Sequence, residues 1–446
     1  MNRRPNVLII FADQQRWDTL GANGHPMDLT PNLDALARRG TRFLLPVTNQ
    51  PVCAPARATL LTGRYGTDHG VWRNGIGLAP GTPTLATRLA SAGYRTGYVG
   101  KWHLAPAEAG RGAVPPDSRG GFTDWWEAAN ALEVTSQPFD TVMFGPDGAE
   151  VRTPGYRVDA CTDRTIEMLR TLCAGEDPFL AMVSYLEPHH QNDVDEYVAP
   201  VGYAERYASP FVPPDLRPLP GSWGRHLPGY YGAIRSLDEN VARLLAALRD
   251  LGRLEDTIVV YTADHGCHFK TRNREYKRSC HDASIRIPMV IAGPLFDRRQ
   301  IVPEPVGLVD LCPTLLEACG VEGDATIQGR SFLGVVHREA GACEAWADDA
   351  LVQISESGVA RALRTSRWTY GVLAPELGGS TVPAADSYLE THLYDTYADP
   401  SQHVNLIGRH GYDDVRAGLR ARLLARMSHA GEAPAEIREW GTTTPL

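Results

Sequence analysis

The sequence predicts an α/β protein with a large mixed, mostly parallel sheet sandwiched by helices and a small α+β C-terminal subdomain. Short continuous apolar runs alternate with segments of helical periodicity, a pattern typical of parallel strands that are buried on both faces. The chain has 446 residues, too many for one ordinary core. After residue 331 the pattern changes to short strand-like pieces. We therefore predict a large domain over residues 1–335 and a subdomain over residues 336–446, with a short antiparallel sheet and a terminal helix.

The predicted elements follow one another in a regular order. Apolar runs at residues 7–11, 96–99, 179–183, 257–261 and 288–291 predict strands, and periodic segments at 31–40, 84–93 and 229–251 predict helices. Residues 104–156 and 199–228 are rich in Pro, Gly and aromatic residues and lack clear periodicity, so we expect long ordered loops there. Further on, strands are predicted at 351–354, 367–370 and 392–394, and a helix at 413–428.

Composition and charge exclude several classes of function. The formal net charge of −9 argues against a nucleic-acid partner, because neutralising phosphates needs clustered cations. No apolar run approaches the roughly 18 residues of a membrane span, and the run at residues 6–12 is too short for a signal peptide. The eight cysteines include no C-x-x-C pair, which disfavours a zinc site or a dense disulfide framework. We therefore expect a water-soluble, cytoplasmic protein with neither nucleic acid nor membrane as a partner.

Polar side chains follow the predicted strands at the points where those strands end. They are Asp13 and Gln14, Lys101 and His103, His189, and Asp264 and His265. Because ligands of open α/β sheets bind beyond the carboxyl ends of the strands, we expect these side chains to meet. Asp13, paired with Asp264 and His265 after a second strand, predicts an oxygen-rich cation site.

A longer motif begins at Cys53 in the sequence C-A-P-A-R and continues as A-T-L-L-T-G-R to Arg64. It resembles the signature of the formylglycine-dependent (type I) sulfatases, which belong to the alkaline-phosphatase-like superfamily. The resemblance extends over most of the chain, through residues 6–13, 30–34, 100–103, 261–266, 285–288, 309–314, 328–331 and 393–395. It implies an enzyme that releases inorganic sulfate from an organic sulfate ester.

The resemblance also implies how the ester is cleaved. A separate formylglycine-generating enzyme oxidises Cys53 to an aldehyde, whose hydrate carries two hydroxyls on one carbon. One hydroxyl attacks sulfur, and the other later loses its proton so that the C–O bond breaks and sulfate leaves. Arg57 resembles the residue that holds the formylglycine oxygen, His103 the base of the elimination, and His189 the residue that protonates the leaving oxygen.

Two lysines complete the implied catalytic set. Lys101 and Lys277 resemble the pair that grips the sulfate, and Lys277 lies nine residues before Arg286 of the Ile-Arg-Ile-Pro motif. The chain has only three lysines, and the presence of two of them at these positions argues against a chance placement on a solvated surface. Lys270, Arg272, Arg274 and Arg278 are expected at the rim of the site. For His268 and His281, both a position at the rim and a structural role stay open.

The implied ligands of one divalent cation are Asp13, Gln14, Asp264 and His265. Carboxylate and amide oxygens suit Ca²⁺. The common sulfatase pattern has a second Asp at the position of Gln14 and often an Asn at that of His265. Ca²⁺ is therefore the first expectation, and one negative charge fewer with one nitrogen more leaves Mn²⁺ and Mg²⁺ as alternatives.

Two alternative functions stay open. A phosphodiester or phosphonate monoester hydrolase of the same superfamily shares the Cys53 motif and the Asp-Gln and Asp-His ligands, but Lys101 with His103 favours sulfate. A non-catalytic binding protein is disfavoured because a competent residue fills each catalytic position. The substrate is a sulfated carbohydrate or a small aryl or alkyl sulfate. Loop side chains either wall a sugar pocket or only pack the loops: Asn74, Trp125, Trp126, Tyr203, Tyr207, Phe211, Trp223 and His226.

Overall fold

The computed structural model describes residues 4–441, and two sheets account for the strands in that range. The strands of the large sheet are β1 (Asn6–Ala12), β2 (Thr41–Val47), β3 (Arg95–Lys101), β4 (Trp125–Ala129), β5 (Asp140–Phe144), β6 (Glu150–Pro154), β7 (Phe179–Ser184), β8 (Thr257–Ala263), β9 (Met289–Ala292) and β10 (Gln300–Gly307). Those of the small sheet are β11 (Asp349–Ile354), β12 (Val359–Thr365), β13 (Trp368–Ala374), β14 (Ser387–Asp395) and β15 (Glu436–Arg438).

Helices cover both faces of the large sheet and one face of the small one. They are α1 (Pro31–Arg39), α2 (Cys53–Thr62), α3 (Gly66–His69), α4 (Leu85–Ser91), α5 (Leu132–Thr135), α6 (Arg157–Leu172), α7 (Tyr203–Arg206), α8 (Trp223–Asp250), α9 (Asp282–Ile285), α10 (Leu311–Ala318), α11 (Leu333–Val336), α12 (Ala342–Ala345) and α13 (Asp413–His429). Within the described residues, no helix is both long and apolar enough to span a membrane.

The centre of the large sheet is parallel, and its order is β10-β2-β9-β8-β1-β7-β3-β4-β5-β6. β1 lies between β7 and β8 and pairs with both in parallel, and β3 pairs in parallel with β7 and β4. β1 and β8 are buried along their whole length, as their continuous apolar runs predict. The carboxyl ends of these strands therefore meet at one edge, where the polar residues follow.

The predicted fold class is confirmed, including the mixed character of the sheet, since β9 runs antiparallel to both of its neighbours. The prediction of a long loop over residues 104–156 is wrong, because that segment contains α5 and the strands β4 to β6, which extend the sheet. Helix α8 begins six residues before the predicted start at 229 and carries Pro228 inside it, so the second predicted loop is shorter.

The small sheet packs against the end of the large sheet where β10 is the edge strand and β2 is its neighbour. Leu45 and Val47 of β2 share an apolar cluster with Val352 of β11 and Ala362 of β12. Sequence reasoning missed β12, although it found the neighbouring strands and α13. The domain boundary after residue 335 stays a prediction; α11 spans that position.

Candidate active site

Four strand ends deliver the central side chains of the site. Asp13 follows β1, Lys101 ends β3, Ser184 ends β7 and Asp264 follows β8, and all four are fully buried. The register of the parallel strands brings them to one depth: Ala12 is paired with Ala263, and Gly100 with Ser184. The structure places these polar residues together at one edge of the sheet, as the sequence predicts.

Cys53 lies at the first turn of α2, with its sulfur in the middle of this group. Lys277 Nζ is 2.9 Å from Cys53 Sγ, His265 Nε2 is 3.4 Å from it and Asp13 Oδ1 is 3.7 Å from it. The backbone at Val52 is extended, and the helix begins at Cys53. Asn74 Oδ1 accepts a hydrogen bond from the N–H of Ala54 at 3.1 Å, which satisfies one of the free donors of the helix N-terminus.

The predicted cation ligands fit a divalent ion by their chemistry. Ligand atoms of Asp13, Cys53, Asp264 and His265 all lie within 4.8 Å of one another. His265 Nδ1 lies 3.0 Å from the carbonyl of Gly266 and donates to it in the tautomer that leaves Nε2 facing the group. Two carboxylates and an imidazole nitrogen in a buried site are a competent donor set for such an ion.

Gln14 adds an amide oxygen to this set. Its Nε2 donates to the hydroxyl of Tyr197 at 2.7 Å, which fixes the amide and leaves Oε1 buried without a hydrogen-bond partner among the described residues. Asp264 Oδ2 is in the same situation. Gln14 also has a positive φ of 65°, a conformation rare for residues other than glycine. A buried oxygen without a donor is costly, and an ion at this position would satisfy both.

Two cations flank Asp13 on the side away from the imidazole. Lys101 Nζ donates to Asp13 Oδ2 at 2.8 Å and Arg57 Nη2 donates to the same oxygen at 3.0 Å. Arg57 Nη1 also donates to Ser184 Oγ and to the Lys101 carbonyl, which fixes the guanidinium. Burial favours a neutral Asp13, but Lys101 and Arg57 hold the pKa of this carboxyl below its ordinary value.

The pKa values at the centre reveal where the site accepts negative charge. Burial would raise the pKa of the Cys53 thiol, but Lys101, Lys277 and His265 hold that pKa well below its ordinary value. Asp264 behaves in the opposite way: burial and the charge of Asp13 raise the pKa of Asp264 to about 6. The site therefore stabilises an anion at the position of the Cys53 side chain and disfavours two adjacent carboxylates.

A pocket of about 370 Å³ opens above Cys53. His103 and His189 are on its wall, with Lys277 beside them. His103 follows β3 with a φ of 62°, and its N–H donates to the carbonyl of Asn130 at 2.8 Å, so the chain turns there. His189 Nδ1 is 2.6 Å from the carbonyl of His190 and donates to it in the tautomer that leaves Nε2 for the pocket.

The structure brings all ten predicted site residues into one region, and it adds residues that sequence reasoning missed. These are Ser184, which contacts Arg57, and the pocket residues Glu133, His190, Asn192, Glu275 and Tyr276. His190 is adjacent to the predicted His189, so its position in the sequence is a usable signal. The other residues carry no such local signal.

The predictions about the rim of the site are confirmed for some residues and wrong for others. Lys270, Arg274 and Arg278 line the pocket, but Arg272 donates to the carbonyls of Ser401 and Gln402 instead. His268 and His281 are buried, and they contact the Lys277 carbonyl and the Tyr394 hydroxyl, respectively, so they have structural positions. Eight loop side chains are predicted either to wall a sugar pocket or to pack the loops. Among the described residues, Asn74 is the only one of the eight that lines the pocket above Cys53.

Comparison with known proteins gives the family. The sulfatase family model matches residues 5–321, and a second model, described as the C-terminal part of N-sulphoglucosamine sulphohydrolase, matches residues 275–429. The chain therefore belongs to the sulfatase family, within the alkaline-phosphatase-like superfamily, and the protein is an enzyme of the sulfatase class.

Two relatives are similar over almost the whole chain. An ulvan-active sulfatase of Formosa agariphila is 30% identical over 445 residues, covering 96% of this chain and 82% of the relative. An N-acetylglucosamine-6-O-sulfatase of Bacteroides thetaiotaomicron is 23% identical over 487 residues, covering 92% of this chain and 84% of the relative.

Two solved structures share the fold. One, from Bacteroides fragilis, carries the name yidJ sulfatase; it has a TM-score of 0.83 and 25% identity, covering 96% of each chain. The other is the phosphonate monoester hydrolase of Agrobacterium radiobacter, with a TM-score of 0.69 and 25% identity, again covering 96% of each chain. The fold is thus shared with a protein that bears a sulfatase name and with a phosphonate monoester hydrolase, the alternative function.

Proposed function

We propose that this sulfatase hydrolyses a sulfate ester of a carbohydrate, using Cys53 oxidised to formylglycine and one divalent cation. The observation that carries the proposal is the charge pattern at Cys53. Two ammonium groups, of Lys101 and Lys277, and the imidazole of His265 act on the Cys53 side chain, so that position favours an anionic oxygen as well as a thiolate. A nucleophile of this kind is what the substitution at sulfur requires.

Formylglycine, in its hydrated form, supplies the attacking oxygen and a second hydroxyl whose deprotonation releases the sulfate. The chain's own residues prepare this position. Lys277 Nζ, 2.9 Å from Cys53 Sγ, is within hydrogen-bond distance of an oxygen placed there. Lys101 and Arg57 neutralise Asp13, and their own charge offsets that of the incoming sulfate.

A divalent ion, when bound, would supply a Lewis acid for the anionic reacting group. Asp13, Gln14, Asp264 and His265 would hold it. The oxygen-rich donor set supports Ca²⁺ first, and the imidazole and the amide keep Mn²⁺ and Mg²⁺ as alternatives. Maturation requires a formylglycine-generating enzyme as a partner. The cytoplasmic location stays a prediction from the sequence.

Two histidines handle the protons. His103 contributes to lowering the pKa of the Cys53 thiol, so it lies close enough to take a proton from a hydroxyl at that position. His189 can present Nε2 to the pocket while Nδ1 donates to the His190 carbonyl, an arrangement that suits donation to the leaving oxygen of the ester. The separation of base and acid on two strand ends matches the two steps of the reaction.

The pocket supports a carbohydrate as the alcohol part of the ester. Its wall offers amide, carboxylate and imidazole groups from Asn74, Asn192, Glu133 and His190, and the phenol ring of Tyr276 beside them. Such a mixture suits the hydroxyls and the flat apolar face of a sugar ring. The activity named for the Bacteroides thetaiotaomicron relative, on N-acetylglucosamine 6-sulfate, supports the same class.

Phosphonate monoester hydrolysis is the second candidate. It is favoured by the Gln14 and His265 ligands and by the similarity to the Agrobacterium radiobacter enzyme. Lys101 and His103 favour sulfate, because they form the element that resembles the sulfatases and because both lie at the reaction centre. We therefore expect phosphonate monoester cleavage as a weaker side activity.

The test combines mass analysis with sulfate release, using protein co-produced with a formylglycine-generating enzyme. We expect the peptide that contains residue 53 to be lighter by about 18 Da, as conversion of a thiol to an aldehyde requires. We also expect release of inorganic sulfate from sugar sulfates, abolished by Cys53→Ala and retained by Cys343→Ala, which changes a cysteine remote from the pocket. An unmodified Cys53 and no release from any sulfate ester would overturn the proposal.

A further inference from the structure

A carboxylate stands in the wall of a pocket built for anions. Glu133, on the short helix α5, lines the pocket together with Cys53, His103 and His189. Its side chain is 8% exposed, and its Oε2 lies 3.3 Å from Lys101 Nζ. Oε2 accepts no hydrogen bond from any described residue. This acidic group makes or breaks no bond in the reaction proposed above, and an oxygen for a sugar hydroxyl does not by itself explain a negative charge beside Lys101.

Glu133 is charged under ordinary conditions. Burial favours its neutral form, but Lys101, His103 and His189 outweigh burial and lower the pKa of Glu133 to about 2. Glu133 and Cys53 line the same pocket, so the charge of Glu133 acts at the reaction centre. Glu133 also shares Lys101 with Asp13, which is 2.8 Å from the same ammonium. A substrate oxyanion that binds Lys101 therefore meets the charge of Glu133.

The net charge of the ester determines how strong that repulsion is. Sulfate esters, phosphodiesters and phosphonate monoesters carry one negative charge at the reacting group. A phosphate monoester carries two above its second pKa of about 6. The tetrahedral groups are similar in shape, so positive side chains by themselves would bind the dianion more strongly. A fixed negative charge beside Lys101 reverses part of that preference.

We propose that Glu133 is a specificity-determining residue whose charge makes the pocket select monoanionic esters over dianionic phosphate monoesters. The proposal rests on the proposed function for the identity of the preferred monoanion, but its physical basis is the net charge of the ester. A purely structural role, such as holding Lys101 in place, would change the turnover of all anionic esters by the same factor. The ratio of kcat/KM for a phosphate monoester to kcat/KM for a sulfate ester therefore distinguishes the two explanations.

The experiment compares kcat/KM at pH 8 for three aryl esters with the same leaving group: 4-nitrophenyl sulfate, 4-nitrophenyl phenylphosphonate and 4-nitrophenyl phosphate. The first two are monoanions and the third is a dianion. In Glu133→Gln, which keeps the shape and removes the charge, we expect the phosphate-to-sulfate ratio to rise on the order of tenfold. The phosphonate-to-sulfate ratio should stay within about twofold.

Two controls separate charge from structure. Glu133→Asp keeps the charge, so its ratios should resemble those of the wild type. Glu127→Gln changes a buried glutamate that pairs with Arg164 away from the pocket, and it should leave all three ratios unchanged. If Glu133→Gln is inactive, binding of phenyl phosphate and phenyl sulfate to Cys53→Ala with and without Glu133→Gln, measured by calorimetry, gives the same comparison.

Equal changes for all three esters, or no change in the binding ratio, would overturn the proposal. Failure of the proposed function looks different. In that case the wild-type enzyme would release no sulfate, while the phosphate-to-phosphonate ratio would still respond to Glu133→Gln if the charge argument is correct.

Discussion

Buried charges occur in two regions of this protein, and the two regions use them differently. In the small sheet, Arg361 and Glu432 form an ion pair at 2.7 Å with both side chains almost fully buried. The other nitrogens of Arg361 donate to the carbonyls of Ala360 and Pro383. In the active site, Asp13 has two cationic partners, whereas Asp264 keeps an oxygen without a hydrogen bond.

The difference teaches which buried charges belong to stability and which to chemistry. A pair whose donors are all satisfied gains nothing from a ligand and mainly fixes the local structure. A group with buried oxygens that accept no hydrogen bond, and with opposed pKa shifts, is ready for an ion and an anionic substrate, and it is less stable until they bind. Four predictions test this contrast, ordered from the largest expected change in free energy to the smallest.

The largest effect is expected in the small sheet. Arg361→Met leaves the Glu432 carboxylate buried without its cation, which should lower the free energy of unfolding by about 3–5 kcal/mol. Urea unfolding measures it. Arg39→Met, which breaks an exposed ion pair with Glu255, should cost less than about 1 kcal/mol. The folded fraction of Arg361→Met should keep wild-type kcat/KM. A large loss of kcat/KM in this variant would contradict the assignment of Arg361 to stability alone.

In the active site the larger cost should appear in the rate. Lys101→Met removes a cation that faces the sulfate, and we expect kcat/KM for sulfate release to fall by about 10²–10³-fold. Steady-state kinetics with an aryl sulfate, corrected for the folded fraction by circular dichroism, measures this. A loss explained entirely by unfolding would contradict the assignment.

Removal of the ion should destabilise the site as well as inactivate it. After treatment with a chelator we expect loss of sulfate release and a lower melting temperature, because Lys101 and Arg57 alone then offset the charges of the adjacent Asp13 and Asp264 carboxylates. An ion at 100 times its Kd restores about 2.7 kcal/mol. Adding back Ca²⁺, Mn²⁺ and Mg²⁺ separately ranks them. In Asp264→Asn the ion-dependent shift in melting temperature should disappear; a shift that persists would move the site elsewhere.

The smallest effect concerns His69, which contacts α2, the helix that begins at Cys53. The N–H of Val71 donates to His69 Nδ1 at 3.1 Å, and Nε2 lies 3.1 Å from Thr59 Oγ1 of α2. Burial, aided by the charge of Arg64, lowers the pKa of His69 from 6.5 to about 3. The unfolded chain therefore binds a proton that the folded chain does not, and stability falls as pH drops from 6.5 towards 3.

This pH dependence is measurable against a variant without an imidazole. Between pH 6.5 and pH 5 the contribution of His69 should amount to about 2 kcal/mol. Urea unfolding of the wild type and of His69→Gln at both pH values isolates it, because the variant should lose less stability over the same interval. Parallel losses in the two proteins would show that His69 does not cause the dependence.

The sequence by itself determined the alternation of strands and helices and the ten candidate catalytic and metal-binding residues. Buried parallel strands have a strong apolar signal, and the polar residues that follow them must lie at the same edge. The Cys53 motif is continuous in the chain, so it too could be recognised locally. These features depend on short-range patterns, which one sequence contains in full.

Only the tertiary structure decided the rest. Glu133 follows an irregular segment, and its place beside Lys101 depends on how β4 pairs with β3. Strands β5 and β6 have weak apolar patterns because β6 is largely exposed at the edge of the sheet. The loop aromatics pack the protein instead of lining the pocket, whereas Tyr276 lines it. Long-range pairing chooses among such residues, and local sequence does not encode that choice.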